Sequence, residues 1–291
     1  MIRKTQHLVL VFLSAAVLVA ACADEAPKSP QLVTMSVNIR YDNPEDGPDA
    51  WPNRRAWLAE TINAQAPDIL GMQEVLLHQA EFLSAALPEH DWYGVGRDDG
   101  EQAGEFTPIF FRKDRFTELD HGTFWLSDTP EKAGSLGWDA GLPRICSWVG
   151  LREITTGKEL FVFTTHLDYY GKQSRLEGAA LIRRRIAEIA AQRSWILLGD
   201  FNAPPESDTW HKMTDPIDGL ATAADAYTVS VTAPTGPQST WNGFEAIEPG
   251  RRIDYVFTST DMKTLNFEIL VDERDGHFSS DHQPVIAMLE W

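Results

Sequence analysis

Six short stretches of this 291-residue chain carry side chains that hold metals or move protons. They are Asn38-Ile39-Arg40, Gln73-Glu74, His166-Leu167-Asp168, Gly199-Asp200-Phe201-Asn202, Arg252-Ile253-Asp254-Tyr255 and Ser280-Asp281-His282-Gln283-Pro284. The fourth is the anchor. Trp195, Ile196, Leu197 and Leu198 run into Gly199 and then meet Asp200 and Asn202. A short continuous apolar run reads as a buried strand, and Gly199 lets the backbone pass close to its neighbours as the strand leaves the core. A period of two sets Asp200 and Asn202 on one side at its end. A carboxylate beside a carboxamide can hold a water molecule and a phosphate oxygen. Asp and Asn are also ordinary turn residues, so this stretch alone does not decide between chemistry and a turn.

The elements that must position these residues follow from periodicity. Residues 32–40 alternate, with Thr34, Ser36, Asn38 and Arg40 on one face and Val33, Met35, Val37 and Ile39 on the other. Asn53 is expected to cap a helix in which Leu58, Ile62 and Ala66 recur, stopped by Pro67. A short strand over 69–74 delivers Glu74, and a helix follows to Leu87. Strands are predicted over 91–96, 106–112, 116–126, 145–154 and 159–166, the last ending on His166. The long loop 127–141 carries Trp138, a candidate site rim. Ser174 with Glu177 reads as a capping box ahead of an apolar stripe of Leu176, Ala179, Ile182, Ile186 and Ile189. Arg183, Arg184 and Arg185 then form a solvated face, with a phosphate-binding patch as the alternative. Residues 253–259, 264–271 and 284–289 close the chain as strands. Strands broken by a few helices suggest stacked sheets with outer helices.

The chain begins differently. Arg3 and Lys4 precede an apolar run from Leu8 to Ala21, the pattern of a signal peptide over 1–21. Val19-Ala20-Ala21-Cys22 resembles a bacterial lipobox, which implies lipidation of Cys22 and a tethered, extracytoplasmic protein of the cell envelope; plain secretion is the alternative. Residues 22–31 would form the lipidated N-terminus and tether, and 32–291 a single domain. Cys146 is then alone, so no internal disulfide is expected, and its apolar neighbours indicate a buried inert thiol. The formal net charge is −18. Such a surface repels polyanions, so no stable nucleic-acid complex is expected, although a bound cation can invert the local field.

Taken together and in this order, the six stretches closely resemble the endonuclease/exonuclease/phosphatase superfamily of metal-dependent phosphoesterases, from about Leu32 to Trp291. The resemblance implies an α+β fold, a four-layer α/β/β/α sandwich of two mixed β-sheets face to face with outer helices. It implies a catalytic set of Asp200 as water-activating residue, Asn202 orienting water or phosphate, and His282 as oxyanion stabiliser with Asp254 as its partner. His166 would be a second donor on the opposite flank. It implies metal ligation by Glu74 with Asn38 and Asp281, the ion being Mg²⁺ with Mn²⁺ as a substitute. The residue chemistry agrees: the four carboxylates would repel each other and a phosphate unless a hard, oxygen-seeking cation sat among them.

Arg40 stands where some nucleases of the superfamily carry an acidic residue, and with Arg144 it is a candidate phosphate clamp. Arg40 is expected to point into the site. Trp51, Trp138, Tyr170 and Trp241 are candidates for stacking on a substrate, with core packing as the alternative; for Asp168 a structural contact and a functional role are both open. The expected activity is hydrolysis of a small phosphodiester or monoester, or of a lipid headgroup, by a monomer. A secreted nuclease is the rival reading, and an inactive binding lipoprotein a third.

Overall fold

The structure, a computed structural model, describes residues 1–2, 31–217, 220 and 222–291. The expected leader beyond residue 2, Cys22 and nearly all of the tether lie outside the described residues. In chain order the elements are β1 (Gln31–Asn38), a 3-10 turn (Pro44–Asp49), α1 (Trp51–Gln65), β2 (Ile69–Gln73), α2 (Leu77–Ala86), β3 (His90–Tyr93), β4 (Ile109–Arg112) and β5 (Phe116–Trp125). Then come β6 (Ile145–Glu153), β7 (Glu159–His166), α3 (Lys172–Ile189), β8 (Ser194–Asp200), α4 (Asp208–Thr214), β9 (Ala224–Asp225) and α5 (Ala226–Val229). The last are β10 (Asp254–Thr258), β11 (Lys263–Ile269), β12 (Glu273–Arg274), β13 (His277–Phe278) and β14 (Val285–Glu290).

Among the described residues two six-stranded sheets form, ordered β11-β14-β1-β2-β4-β3 and β5-β6-β7-β8-β10-β9. Both are mixed: β1 runs parallel to β2 and β7 parallel to β8, while their other neighbours are antiparallel. Three apolar clusters separate four layers. Leu32, Ile69 and Val285 of the first sheet meet Val162, Ile196, Leu198 and Val256 of the second in the central core. Leu58, Ile62 and Leu83 of α1 and α2 cover the outside of the first sheet against Val37 and Met72. Ile182 and Ile186 of α3 and Met213 of α4 cover the outside of the second against Phe163, Trp195 and Leu197. The anchor strand shows the logic: Ile196 and Leu198 point between the sheets, Trp195 and Leu197 toward the helices. A Cβ at Gly199 would lie 2.3 Å from the Thr165 carbonyl oxygen, so only glycine fits as β8 passes β7. The four-layer α/β/β/α sandwich expected from the sequence is the observed fold.

Several local expectations change. Helix α1 starts at Trp51 with Ala50 as its N-cap, and Asn53 instead donates back to the carbonyls of Gly47 and Pro48. Helix α3 starts at Lys172, ahead of Ser174; the remote Asp139 accepts the N–H groups of Gln173 and Ser174 and does the capping. Arg183 is fully buried rather than part of a solvated face, donating to the carbonyls of Lys212 and Asp215 and joining α3 to the end of α4. Arg185 pairs with Glu131 and Glu188. β1 stops at Asn38, because Arg40 takes a left-handed backbone (φ 56°) that no strand continues through. Cys146 is buried, and burial pushes its thiol well above the usual range.

Candidate active site

The two parallel βαβ units, β1-α1-β2 and β7-α3-β8, carry their strand ends to one edge of the sandwich. In the second sheet the register sets His166 beside Asp200 and Asp200 opposite Asp254, one row across three strands. In the first, Asn38 lies beside Gln73, and Glu74 follows at φ 60°. Asp281 and His282 precede β14, which pairs with β1. Asn38 joins the layers: its Nδ2 lies 3.0 Å from Glu74 Oε1 and 3.2 Å from Asp200 Oδ2. The structure therefore gathers the catalytic and metal residues expected from the sequence, from both sheets, in one place.

His282 Nδ1 is 2.8 Å from Asp254 Oδ2, and its Nε2 is 3.7 Å from Asp200 Oδ2. Burial works against the imidazolium, but Asp254, Asp200 and Asp281 outweigh it and raise His282 to about 10. Burial, then the Asp254 charge, pushes the Asp200 carboxyl up toward neutrality. Burial also raises Asp281. His166 is driven the other way: burial, Arg144, Arg97 and His282 hold it well below its usual value. Asn202, left-handed at φ 48°, donates its N–H to Asp200 Oδ1. Both its amide hydrogens are taken, by the Leu167 carbonyl and His166 Nε2, so the carboxamide oxygen is what it can offer the cavity.

A cavity of about 320 Å³ opens over this row, lined by Asp200, His282, Glu74 and Asp281 and by three arginines, Arg40, Arg144 and Arg251. Arg40 reaches the cavity wall as expected, but its fork is bound by both oxygens of Asp46, with Nη1 3.9 Å from Asp281. Arg144 is nearly buried, rests on Asp168 at 3.3 Å, and keeps Nη1 buried without a partner. Asp168 is thus a structural contact; it also accepts the N–H groups of Tyr170 and Gly171. Of the stacking candidates, Trp51 lies in the core between the first sheet and its helices, and Trp138 packs half-buried against the cluster under α3 on the other side. Tyr170 stands exposed, edge-on to Tyr169, and Trp241 alone of the four lines the cavity.

Sequence reasoning missed Arg251 and Tyr169 in that wall, and also Arg54. The Arg54 guanidinium is buried and donates to carbonyls of Ile39, Arg40, Asp49 and Ser279, stitching β1's end to the segment before Asp281. Burial lowers it to about 10, leaving it charged at neutral pH. Arg54 sits inside a helical pattern, and no sequence signal marks it.

The donor chemistry fits a hard divalent cation. Glu74, Asp200 and Asp281 line one pocket, and Asp254, fully buried beside Asp200, keeps Oδ1 without a partner. Ligand atoms of Asp200, Asp254 and His282 lie within 4.8 Å of one another and could hold an ion. In that trio, however, His282 is bonded to Asp254 and its charge is favoured, which makes its nitrogens donors rather than ligands. Glu74 offers the carboxylate oxygens that Mg²⁺ prefers, while Asn38 turns its Nδ2 toward Glu74 and Asp200 and its Oδ1 accepts the N–H of Arg40.

A two-sheet sandwich with an acid-rich cleft at its strand ends defines a class of phosphate-ester hydrolases. The chain belongs to the Endonuclease/Exonuclease/phosphatase family, whose model matches residues 35–282. Members of that family are divalent-metal-dependent hydrolases of phosphoester bonds. Among solved structures, an endonuclease/exonuclease/phosphatase protein from Bacteroides vulgatus is 38% identical, with a TM-score of 0.86 over 90% of this chain and 99% of that one. A mannosyl-6-phosphatase from Bacteroides thetaiotaomicron is 34% identical, with a TM-score of 0.83 over 89% of this chain and all of that one. An uncharacterised protein of Acanthamoeba polyphaga mimivirus is 25% identical over 231 residues. The matched region spans 33% to 59% of the length of the curated relatives, a rat nocturnin among them.

Proposed function

We propose that this protein hydrolyses small phosphomonoesters, of the sugar-phosphate kind, by metal-assisted in-line attack of water. The observation that carries the reading is the cavity itself. At about 320 Å³ it lies at the bottom of the range for small-molecule sites, roughly 300–1,000 Å³, and its wall holds three cations in a chain of net charge −18. The similarity to a mannosyl-6-phosphatase supports the same substrate class.

In this reading Glu74 with Asp281, and Asn38 once its carboxamide oxygen turned toward them, would hold Mg²⁺ or Mn²⁺. The ion supplies charge neutralisation and polarisation of the phosphorus–oxygen bond. Asp200 takes a proton from the attacking water; its raised proton affinity suits a base working near neutral pH. The carboxamide oxygen of Asn202 accepts that water's other hydrogen and fixes its direction. The charged ring of His282 turns Nε2–H toward the phosphoryl oxygens, while Asp254 accepts from Nδ1 and keeps the ring oriented. His166 stays neutral and holds Asn202; acting as a second phosphate donor would require it to release that bond. Arg144, with its unpartnered Nη1, and Arg40 steady the phosphate.

The test is a panel of phosphomonoesters, phosphodiesters, phospholipid headgroups and DNA, with and without chelator. Chelator-sensitive turnover with the best kcat/KM on a small monoester supports the proposal. DNA cleaved best would replace it with the secreted-nuclease reading, and no turnover of any ester would leave the binding lipoprotein. We further propose that Cys22 carries lipid outside the cytoplasm. Membrane partition lost in Cys22→Ser supports that, and an unmodified Cys22 in the mature chain refutes it.

A further inference from the structure

The third arginine of the cavity wall is held differently from the other two. Asp46 occupies the fork of Arg40, and Asp168 backs the nearly buried Arg144. Arg251 instead sits over an indole, its Cζ 4.0 Å from the centroid of the Trp241 ring. Its ion pair is a long one, Nη1 to Glu248 Oε2 at 3.4 Å, with both side chains substantially exposed. Nε and Nη2 remain to donate.

The indole is itself clamped. Gly243 has φ 60°, and a Cβ there would lie 2.8 Å from the six-membered ring of Trp241. The Gly243 backbone and the Arg251 guanidinium both lie close against the indole, so Trp241 supports Arg251. The segment that carries Trp241 is fastened to the catalytic residues. Trp241 pairs antiparallel with His282, and the N–H groups of Asn242 and Gly243 donate to the Asp281 carbonyl. Thr240 Oγ1 accepts from the N–H of Asp254, and the Arg251 carbonyl accepts from Thr240 and Trp241. A cation held at fixed distance from His282, outside the buried phosphate-facing row, faces whatever the phosphate is attached to.

We propose that Arg251, positioned by Trp241, is the residue that selects the leaving group, donating hydrogen bonds to the hydroxyl oxygens of a sugar-like polyol. Hydroxyls suit it better than a second phosphate, because Glu248 already shares its charge and the whole chain is acidic. The inference rests on the phosphomonoesterase reading above and deepens it.

The experiment compares hexose 6-phosphate, phenyl phosphate and hexose 1,6-bisphosphate on the metal-loaded full-length protein, with Arg251→Ala and Trp241→Leu beside it. Arg251→Ala should cut the preference for hexose 6-phosphate over phenyl phosphate at least tenfold, chiefly through KM. Trp241→Leu should do the same to a smaller extent with the guanidinium still present. Equal losses on both esters would mean that Arg251 binds phosphate or merely supports the fold, and overturn the proposal. So would an undiminished preference, or an Arg251-dependent preference for the bisphosphate. If the wild type turned over none of the three, the phosphomonoesterase reading would fail separately. Calorimetry would then decide: the advantage of hexose 6-phosphate over inorganic phosphate must be present in wild type and lost in Arg251→Ala, or the proposal falls too.

Discussion

Replacing Asp254 by Asn tests whether the carboxylate exists to keep His282 charged. The rise of His282 from 6.5 to about 10 corresponds to about 5 kcal/mol of net preference for the imidazolium, at 1.36 kcal/mol per pH unit. Burial opposes that preference, and Asp254 is the leading group that creates it, through charge and a 2.8 Å hydrogen bond. If Asp254 supplies half of the net, its loss lowers the ring by roughly two pH units, to near 8. The ring is cationic below its proton affinity and neutral above it. The alkaline limb of kcat/KM must therefore move down by about that amount. With the ring near 8 only about a tenth of it stays charged at pH 9, so the loss there should be about tenfold, and much milder at pH 6.5. Rate profiles from pH 5 to 10, with the imidazole ¹⁵N shifts followed in parallel, read both quantities. Adding His282→Ala to Asp254→Asn should cost little more than His282→Ala alone, since the pair acts as a unit. An alkaline limb that stays in place, or strictly additive losses, would refute the reasoning and give Asp254 a separate role.

Asp200→Asn should lower kcat by about 10²–10⁴. It should also stabilise the metal-free protein. Asp200 has its proton affinity raised on folding, so the wild type loses stability as pH climbs from about 4 toward 7, and the variant escapes that loss. Its melting-temperature advantage should be present at pH 8 and vanish near pH 4. Glu74→Gln should raise the Mg²⁺ concentration needed for half-maximal rate, with excess ion restoring part of the activity; full activity at limiting Mg²⁺ would exclude Glu74 as a ligand. Arg40→Ala should raise KM for the preferred monoester about tenfold, the loss of one charged hydrogen bond of about 1.5 kcal/mol, and an unchanged KM would leave Arg40 a partner of Asp46 only. Arg183→Met strands two carbonyls under α3 and should cost about 1–3 kcal/mol in denaturant unfolding without altering KM.

The row of catalytic groups was legible because strands write themselves in the sequence. An apolar run that ends on a polar residue gives both the element and the place where the side chain emerges, and this located His166, Glu74 and Asp200, while Asp254 opens its strand. What lay between elements was not legible. Arg251 sits in a turn-rich stretch with no period, and only the pairing of Trp241 with His282 reveals that the stretch returns to the site. The three consecutive arginines of α3 could have been read better. Successive residues turn by about 100° around a helix, so three in a row cannot share one face. Arg183 falls four residues after the buried Ala179 and must look inward with it. Helix starts were misplaced where a remote group did the capping, as Asp139 does for α3, since a local pattern cannot show a partner 34 residues away.

The place of β14 has a consequence for how activity arises. This strand fills the gap between β1 and β11, and the segment leading into it carries Asp281 and His282. β1, which presents Asn38, therefore keeps an open edge until residues some 250 positions later dock against it. Contacts that span so much chain form late and slowly. The second sheet, with His166, Asp200 and Asp254 in register, is built from nearer neighbours and can assemble earlier. An intermediate holding that sheet alone would have the base but neither Asp281 nor the imidazolium, and so no hydrolytic power. Turnover is thus a readout of completed folding, and a copy nicked ahead of β14 should be silent rather than merely slow.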